Sequence, residues 1–528
     1  MIFGGVRTIN CASGNIICSA VISGASGGIT KTGTEKLILS AANTYAGATT
    51  INDGTFQIGN AGSTGSLSSS SAITVTSPGI LAFYRNTGNL TQGTGFAANI
   101  SGTGKLQHYG SSDLNLNSNN TFSGGIEIYD SGNVTALTDD GAMGTGTITL
   151  GTGVVKFNIN ARTLTNNIVI NSGTQGGTGN GLIGNTGTTI ATLNGTITIN
   201  GAPVAGGMFA GNSTGKLVIN GAITSSVPVT CRIGSIDISG GGSYTDLYIG
   251  QGTVRLTATN GIATGATITI ASSAAAALDL GGYNQTCVGV IKGGATATIG
   301  NSSTASNSIL TTTGTYTYAG IIQDVISTGD KKVSLVINGG VATLSGICSY
   351  TGTTSVTAGT LFITGSLNIG SAVDVSGVLG GTGNVYGPIT VNNGGTINPG
   401  SGGTSIGTLG TAAVTFSATS ACSVDLNGTV PIFDKINSSA TVALGAELNS
   451  LTVASITNSA TGKVYTIVGA ASVTGTWNGK AEGSTFTVSG RLLRINYTLT
   501  NVLLTDVTPE RNHAQCTGCG RGIMRQTI

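Results

Sequence analysis

The stretch Leu37–Gly59, LILSAANTYAGATTINDGTFQIG, constrains the fold most, because it recurs. Leu39, Ser40, Tyr45, Gly47, Thr49, Gly54, Thr55 and Ile58 return as Leu344, Ser345, Tyr350, Gly352, Thr354, Gly359, Thr360 and Ile363. A weaker copy sets Asn120, Thr121, Phe122, Gly124 and Ile128 where the first has Asn43, Thr44, Tyr45, Gly47 and Ile51. Apolar and polar residues alternate inside the unit, which predicts strands at Leu37–Leu39, Thr49–Ile51 and Phe56–Ile58. Ala41-Ala42-Asn43, Gly47 and Asn52-Asp53-Gly54 punctuate them as turns. A unit this small cannot bury its apolar face alone, so copies must stack on neighbours.

From Ile22 onward the same grammar continues: Ile73–Val75, Ile148–Leu150, Leu193–Ile199, Leu217–Ile219, Val254–Leu256 and Ile268–Ile270. Turn pairs such as Asn200-Gly201, Asn220-Gly221 and Asn260-Gly261, and Asn338-Gly339-Gly340, separate such runs. No stretch has helical periodicity, which excludes a βαβ fold. A string of sandwiches, a propeller and a solenoid remain. Sandwich and propeller strands usually need about five or six residues, and most runs here are shorter. Brief strands with Gly-rich corners suit a parallel β-helix. Coils of roughly 20–25 residues, stacked at ~4.8 Å, would give about twenty coils and a rod of about 100 Å. Leu37, Leu39, Ile51, Phe56 and Ile58 are expected inward, with Tyr45, Phe122 and Tyr350 as aromatic rungs. Asn43 and Asn120 are expected as corner rungs whose amides bond along the stack, and Gly47 and Gly54 at corners.

Composition agrees with many short strands and turns. The 528 residues include 88 Gly and only 7 Pro, and 8% are charged. Hydrophobic residues make up 39%, which excludes a solvated disordered chain. The net charge is +2 and Lys331-Lys332 is the only adjacent basic pair, so there is no footprint for nucleic acid. No apolar run approaches the ~18 residues of a membrane helix. The opening residues fail as a signal peptide, since Arg7 is isolated and Asn, Ser and Gly break any apolar core. Cys11, Cys18, Cys231, Cys287, Cys348, Cys422, Cys516 and Cys519 are too sparse for a disulfide framework. Cys348 stands in the slot of Asn43 and Asn120 and is read as a small buried filler.

Gly27-Gly28-Ile29-Thr30-Lys31-Thr32-Gly33 followed by Leu37–Ile58, and again Val336–Ile363, resemble the passenger-associated β-strand repeat of autotransporters. That repeat runs from a Gly-rich lead through Lys-x-Gly, Leu-x-Leu-Ser, Asn-x-Tyr-x-Gly and a Thr-rich strand to Gly-Thr-Leu-x-Ile. Phe56 takes the last Leu slot here, and Cys348 replaces the Asn in the second match. Leu379–Gly410 is similar to the closing coils of such passengers. Phe433–Ile436, Gly462–Ile467, Thr476-Trp477 and Asn496–Leu504 resemble their cap, which a solenoid needs to cover its last strand edges. The resemblance implies a bacterial surface or secreted protein. Members carry a leader and a membrane barrel, so this chain reads as a fragment. Val507–Ile528 breaks the pattern with Glu510, Arg511, His513, Cys516, Cys519, Arg521 and Arg525.

Few residues invite chemistry. Cys516-Thr517-Gly518-Cys519 with His513 is half a zinc site and reads as a tail with two free thiols. Asp139-Asp140 are the only adjacent acids, and neighbours on a strand point to opposite faces; a turn is the expected setting. His108 is expected on a strand surface. Gly-Gly-Thr-Gly-Asn at Gly176–Asn180 and Gly380–Asn384 resembles calcium-binding repeats, but Asn stands where Asp should and the copies are not in tandem. No catalytic, cofactor-binding or metal-ligating residue is assigned.

The expected fold is all-β: a single-stranded, right-handed parallel β-helix solenoid with a C-terminal β cap. Residues 1–21 form an entry segment and truncated coil, 22–400 the repeats, 401–505 the last coils and cap, and 506–528 a disordered tail. The expected function is a non-catalytic cell-surface or secreted passenger, adhesin-like or a scaffold, of a Gram-negative-type bacterium. The rivals are a polysaccharide-binding or -degrading β-helix and a filament or surface-layer subunit. Expected partners are host or neighbouring-cell glycans or proteins, or other copies end to end or side by side. Neither nucleic acid nor a cofactor is expected, and this chain has no transmembrane segment. The binding face is sought in a lateral groove or in Gln251–Gly265 or Gly173–Gly187.

Overall fold

Alternation of apolar and polar residues fixes which way each short strand faces, and the strands then stack like on like. In the computed structural model the chain is an all-β, right-handed parallel β-helix. The structure describes residues 1–176, 182–201, 207–211, 215–271, 276–292, 296–401, 405–429, 432–445 and 448–510. Two compact units are present, Met1–Asp374 and Val375–Ile528.

In the first unit the coil unit is seen directly. Strands Lys36–Leu39, Thr49–Ile51 and Thr55–Ile58 form where the alternation predicts them. Leu37, Leu39, Ile51, Phe56 and Ile58 are all buried, as are the aromatic rungs Tyr45, Phe122 and Tyr350. One inner ladder runs in register through Leu37, Phe56, Leu81, Leu106, Ile126, Ile148, Ile168, Ile197 and Ile223. A second runs Cys18, Leu39, Ile58, Phe83, His108, Ile128, Leu150, Ile170 and Ile199.

His108 corrects the sequence expectation. It is buried to 1% exposure in the second ladder, between Phe83 and Ile128. Its Nε2 bonds the carbonyl of Ser112 at 2.9 Å. Strand parity explains the placement: His108 lies two residues past Leu106, so both must face inward.

The coils differ in length, so the repeats are not phase-locked. Thr49–Ile51 belongs to a sheet that ends at Ile100–Gly102, whereas the matching Ile126–Ile128 lies in the sheet that holds Lys36–Leu39. The second copy is therefore shifted by one face. In the third copy, strand pairs seen separately in the first run together as Val333–Leu344 and Thr354–Ile363.

Polar rungs are satisfied within the stack. Tyr45 and Thr49 hydroxyls meet at 2.8 Å, and Thr49 meets Ser71 at 3.2 Å. The third copy repeats the set as Tyr350, Thr354 and Ser371 at 2.6 and 2.9 Å. In the second copy Phe122 and Ile126 remove both hydroxyls together, so neither is left buried without a partner. Asn43 accepts from Ile22 N–H and donates to the carbonyls of Ala41 and Ser66. Asn120 accepts from Ile100 N–H and donates to Ala142. These amides thus bond along the stack, through the backbone of the coils on either side.

Lys31 holds a slot between Ile9 and Ile51 and is fully buried. Its ammonium donates to the carbonyls of Thr32, Gly33 and Asp53 at 3.1, 2.6 and 3.0 Å, which uses all three of its donors. The Lys-x-Gly of the repeat is a corner clamp. Glycine columns serve other corners: a Cβ at Gly221 would lie 1.7 Å from the Gly195 carbonyl oxygen, and one at Gly346 would lie 1.9 Å from that of Gly320. Only a residue without a side chain lets coil backbones approach so closely.

In the second unit, parallel rows such as Ile389–Val391, Val414–Phe416, Thr441–Ala443 and Ser472–Thr474 continue the grammar. Pairing then turns antiparallel: Val464–Gly469 with Asn501–Asp506, that strand with Arg491–Tyr497, and that one with Thr485–Val488. Tyr465, Ile467, Trp477 and Leu504 are buried there. The switch forms the cap. Arg511, His513, Cys516, Cys519, Arg521 and Arg525 lie outside the described residues.

Candidate functional site

Each of the two segments named as binding loops includes coil strand. Gln251–Gly265 contains the strand Thr253–Leu256, with Val254 and Leu256 buried. Gly173–Gly187 contains Thr174–Gly176 and Ile183–Asn185, and its residues 177–181 lie outside the described set, as does most of Gly176–Asn180.

A lateral groove lies elsewhere in the first unit. Its ≈ 450 Å³ cavity is lined by Asn15, Lys36, Ile38, Gln57, Asn60, Tyr84, Asn86, Tyr109, Gly110 and Asp130. The outward rung Ile38, Gln57, Ala82, Gln107, Glu127 is in register between the two inner ladders. One residue beyond each end of the second ladder stand Ser40, Gly59, Tyr84, Tyr109, Tyr129 and Gly151. Three tyrosines therefore follow one another up the outer wall. Tyr84 and Tyr109 meet edge to face at 6.3 Å, and Tyr109 and Tyr129 stack at 5.4 Å, within the range of favourable ring pairs. Gly151 makes room for the last ring, because a Cβ there would lie 2.3 Å from Tyr129.

The tyrosine pair is braced by a closed network. Tyr109 donates to Gln107 at 2.7 Å and Tyr129 to Glu127 at 3.0 Å. Gln107 and Lys105 also donate to Glu127, at 2.8 and 2.7 Å. Burial pushes Glu127 up, but the bonds from Lys105, Gln107 and Tyr129 outweigh it and hold the carboxyl below its ordinary value. Burial and the Glu127 bond push the Tyr129 phenol up to about 12, so it stays a neutral donor. The sequence signal for this wall was present: ILAFY and KLQHY end strands in Tyr, and in GIEIY Tyr129 directly follows the strand Ile126–Ile128.

The acids singled out in sequence sit apart from the groove lining. Asp139 accepts from Gly141 N–H at 2.8 Å and Asp140 from Thr163 N–H at 3.0 Å; both are turn ties. Asp434, in the second unit, is fully buried. Burial pushes it up to about 7 against N–H bonds from Gly407 and Asp425. Such a shift marks functional carboxylates in many sites, but here both oxygens are spent tying the corner. Among the described residues no group of three His, Cys, Asp or Glu is placed to hold a metal ion. Cys11, Cys18, Cys231, Cys287, Cys348 and Cys422 are free thiols, and Cys348 is buried. No helix among the described residues is long and apolar enough to cross a membrane.

A family model, the passenger-associated-transport repeat, matches residues 29–58, 109–135 and 334–362. No curated protein matches the chain. The matched segments are the Leu37 unit, its Phe122 copy and its Tyr350 copy, set in stacked coils. Three passenger-associated-transport repeats set in a β-solenoid are consistent with an autotransporter passenger β-helix, and that repeat family implies a surface or secreted location.

Proposed function

We propose that the chain is a non-catalytic, adhesin-like passenger of a Gram-negative-type cell surface, and that the tyrosine-walled groove is its contact face. The observation that carries this is the groove lining: amides and tyrosine with one carboxylate, Asp130, and one ammonium, Lys36. Hydrolysis or elimination on a polysaccharide calls for paired carboxylates or a cation with a base, and a lining of amides favours holding a ligand over cutting it. Partners would be host or neighbouring-cell glycans or proteins.

The test uses fluorescent beads coated with the full chain and exposed to epithelial and bacterial cells. Asn60→Trp, which fills the groove, should lower adherence at least about tenfold, as loss of a central contact does. Adherence untouched by Asn60→Trp would refute the contact face. Release of reducing ends or unsaturated products from a polysaccharide panel would refute the non-catalytic reading.

A further inference from the structure

We infer that the groove binds a neutral oligosaccharide, with a sugar ring against Tyr84 and its hydroxyls on Asn15, Asn60 and Asn86. This rests on the groove being the contact face.

The first ground is unspent hydrogen bonding. Tyr109, Tyr129, Gln107, Glu127 and Lys105 satisfy one another. Across the groove the Tyr84 hydroxyl and the side-chain amides of Asn60 and Asn86 have no partner among the described residues, and Asn15 spends only its Oδ1, on Lys36 N–H. An Asn amide both donates and accepts, which matches a hydroxyl that does the same.

The second ground is charge. Lys36 and Asp130 are the one cation and one anion of the lining, and the Lys105 ammonium is held by Glu127 at 2.7 Å. An acidic polymer needs a surplus of cations, and the groove has none. The third ground is access to the ring. Tyr84 is half-buried and lines the cavity, so part of its ring faces the groove. Apolar sugar faces pack on such rings, and the cavity lies in the ~300–1,000 Å³ range of small-ligand sites.

The backbone argues against a peptide. Extended peptides add to a free strand edge, but Lys36–Leu39, Thr55–Ile58, Ile80–Tyr84 and Lys105–Tyr109 each pair on both sides. Those four strands offer no open edge; the free edge of the sheet on this side is Ile16–Cys18, which follows the lining residue Asn15.

Titration calorimetry of the full chain with cellohexaose and chitohexaose as neutral probes, and hexagalacturonate as the acidic one, tests the assignment. A neutral probe should bind. Tyr84→Ala should weaken it at least about tenfold, Tyr84→Phe by no more than a few-fold, and Tyr248→Phe, at an exposed tyrosine outside the lining, should leave it unchanged. Tighter, salt-sensitive binding of hexagalacturonate would overturn the assignment. So would neutral binding indifferent to Tyr84→Ala, or binding of no probe. If the probes fail while Asn60→Trp still abolishes bead adherence, the ligand class is wrong and the contact face stands.

Discussion

Leu39→Asp is expected to unfold the coils around the Leu37 unit. Leu39 is fully buried between Cys18 and Ile58, in a ladder that continues through Phe83. A carboxylate there would lie among apolar neighbours with no cation in its rung, and burying an unpaired charge is among the costliest single changes. The loss should exceed about 4 kcal/mol, against about 2–5 for Leu39→Ala, which opens a cavity only. Chemical denaturation followed by circular dichroism, with hydrogen exchange on Leu37–Ile58, reads both. Because each coil lies on its neighbours, protection should fall in adjacent coils as well. A Leu39→Asp chain with unchanged protection would show that the ladder assignment is wrong.

The same ladder makes stability sensitive to acid through His108. Burial holds its pKa down at about 4, against 6.5 for the free side chain, outweighing the Ser112 bond. The unfolded chain therefore binds a proton between about pH 6.5 and 4 that the folded chain refuses. The His108 contribution is fully present above pH 6.5 and is lost as pH falls towards 4. The shift corresponds to about 3 kcal/mol. His108→Leu leaves the Ser112 carbonyl without its bond and should cost about 1 kcal/mol at pH 7. Below pH 5 it should be more stable than the parent. Denaturation midpoints of both chains from pH 4 to 8 check this, and parallel pH profiles would contradict it.

The repeat in the sequence carried the fold because the information is local and recurs. Leu37 and Phe56 meet apolar partners in the neighbouring coils and Tyr45 recurs as Phe122 and Tyr350, so period two and the turn residues were enough to place them inward. The cap was legible for a different reason, through resemblance, and its antiparallel turn at Val464–Gly469 had no counterpart in the alternation. Lys31 was hidden because its cage consists of backbone carbonyls, which no side-chain pattern records. His108 was legible by parity and obscured by polarity: one imidazole bond to Ser112 suffices to seat it in an apolar rung. The groove was the least legible part. Asn15, Lys36, Gln57, Asn60, Tyr84 and Asn86 come from successive coils of unequal length, and only the register brings them to one wall.

Register is thus the claim on which ladders, groove and ligand all depend, and a cross-link measures it most directly. Thr198 and Thr224 are outward partners on adjacent strands, at the ~4.8 Å spacing that suits a disulfide. Thr149 lies three strands from Thr224 on the same face, about 14 Å away. In a chain with Cys18, Cys516 and Cys519 changed to Ser, Thr198→Cys with Thr224→Cys should oxidise under mild oxidant, seen as loss of free thiol and a mobility shift. Thr149→Cys with Thr224→Cys should stay reduced. Oxidation of the distant pair, or none of the adjacent pair, would contradict the stacked register.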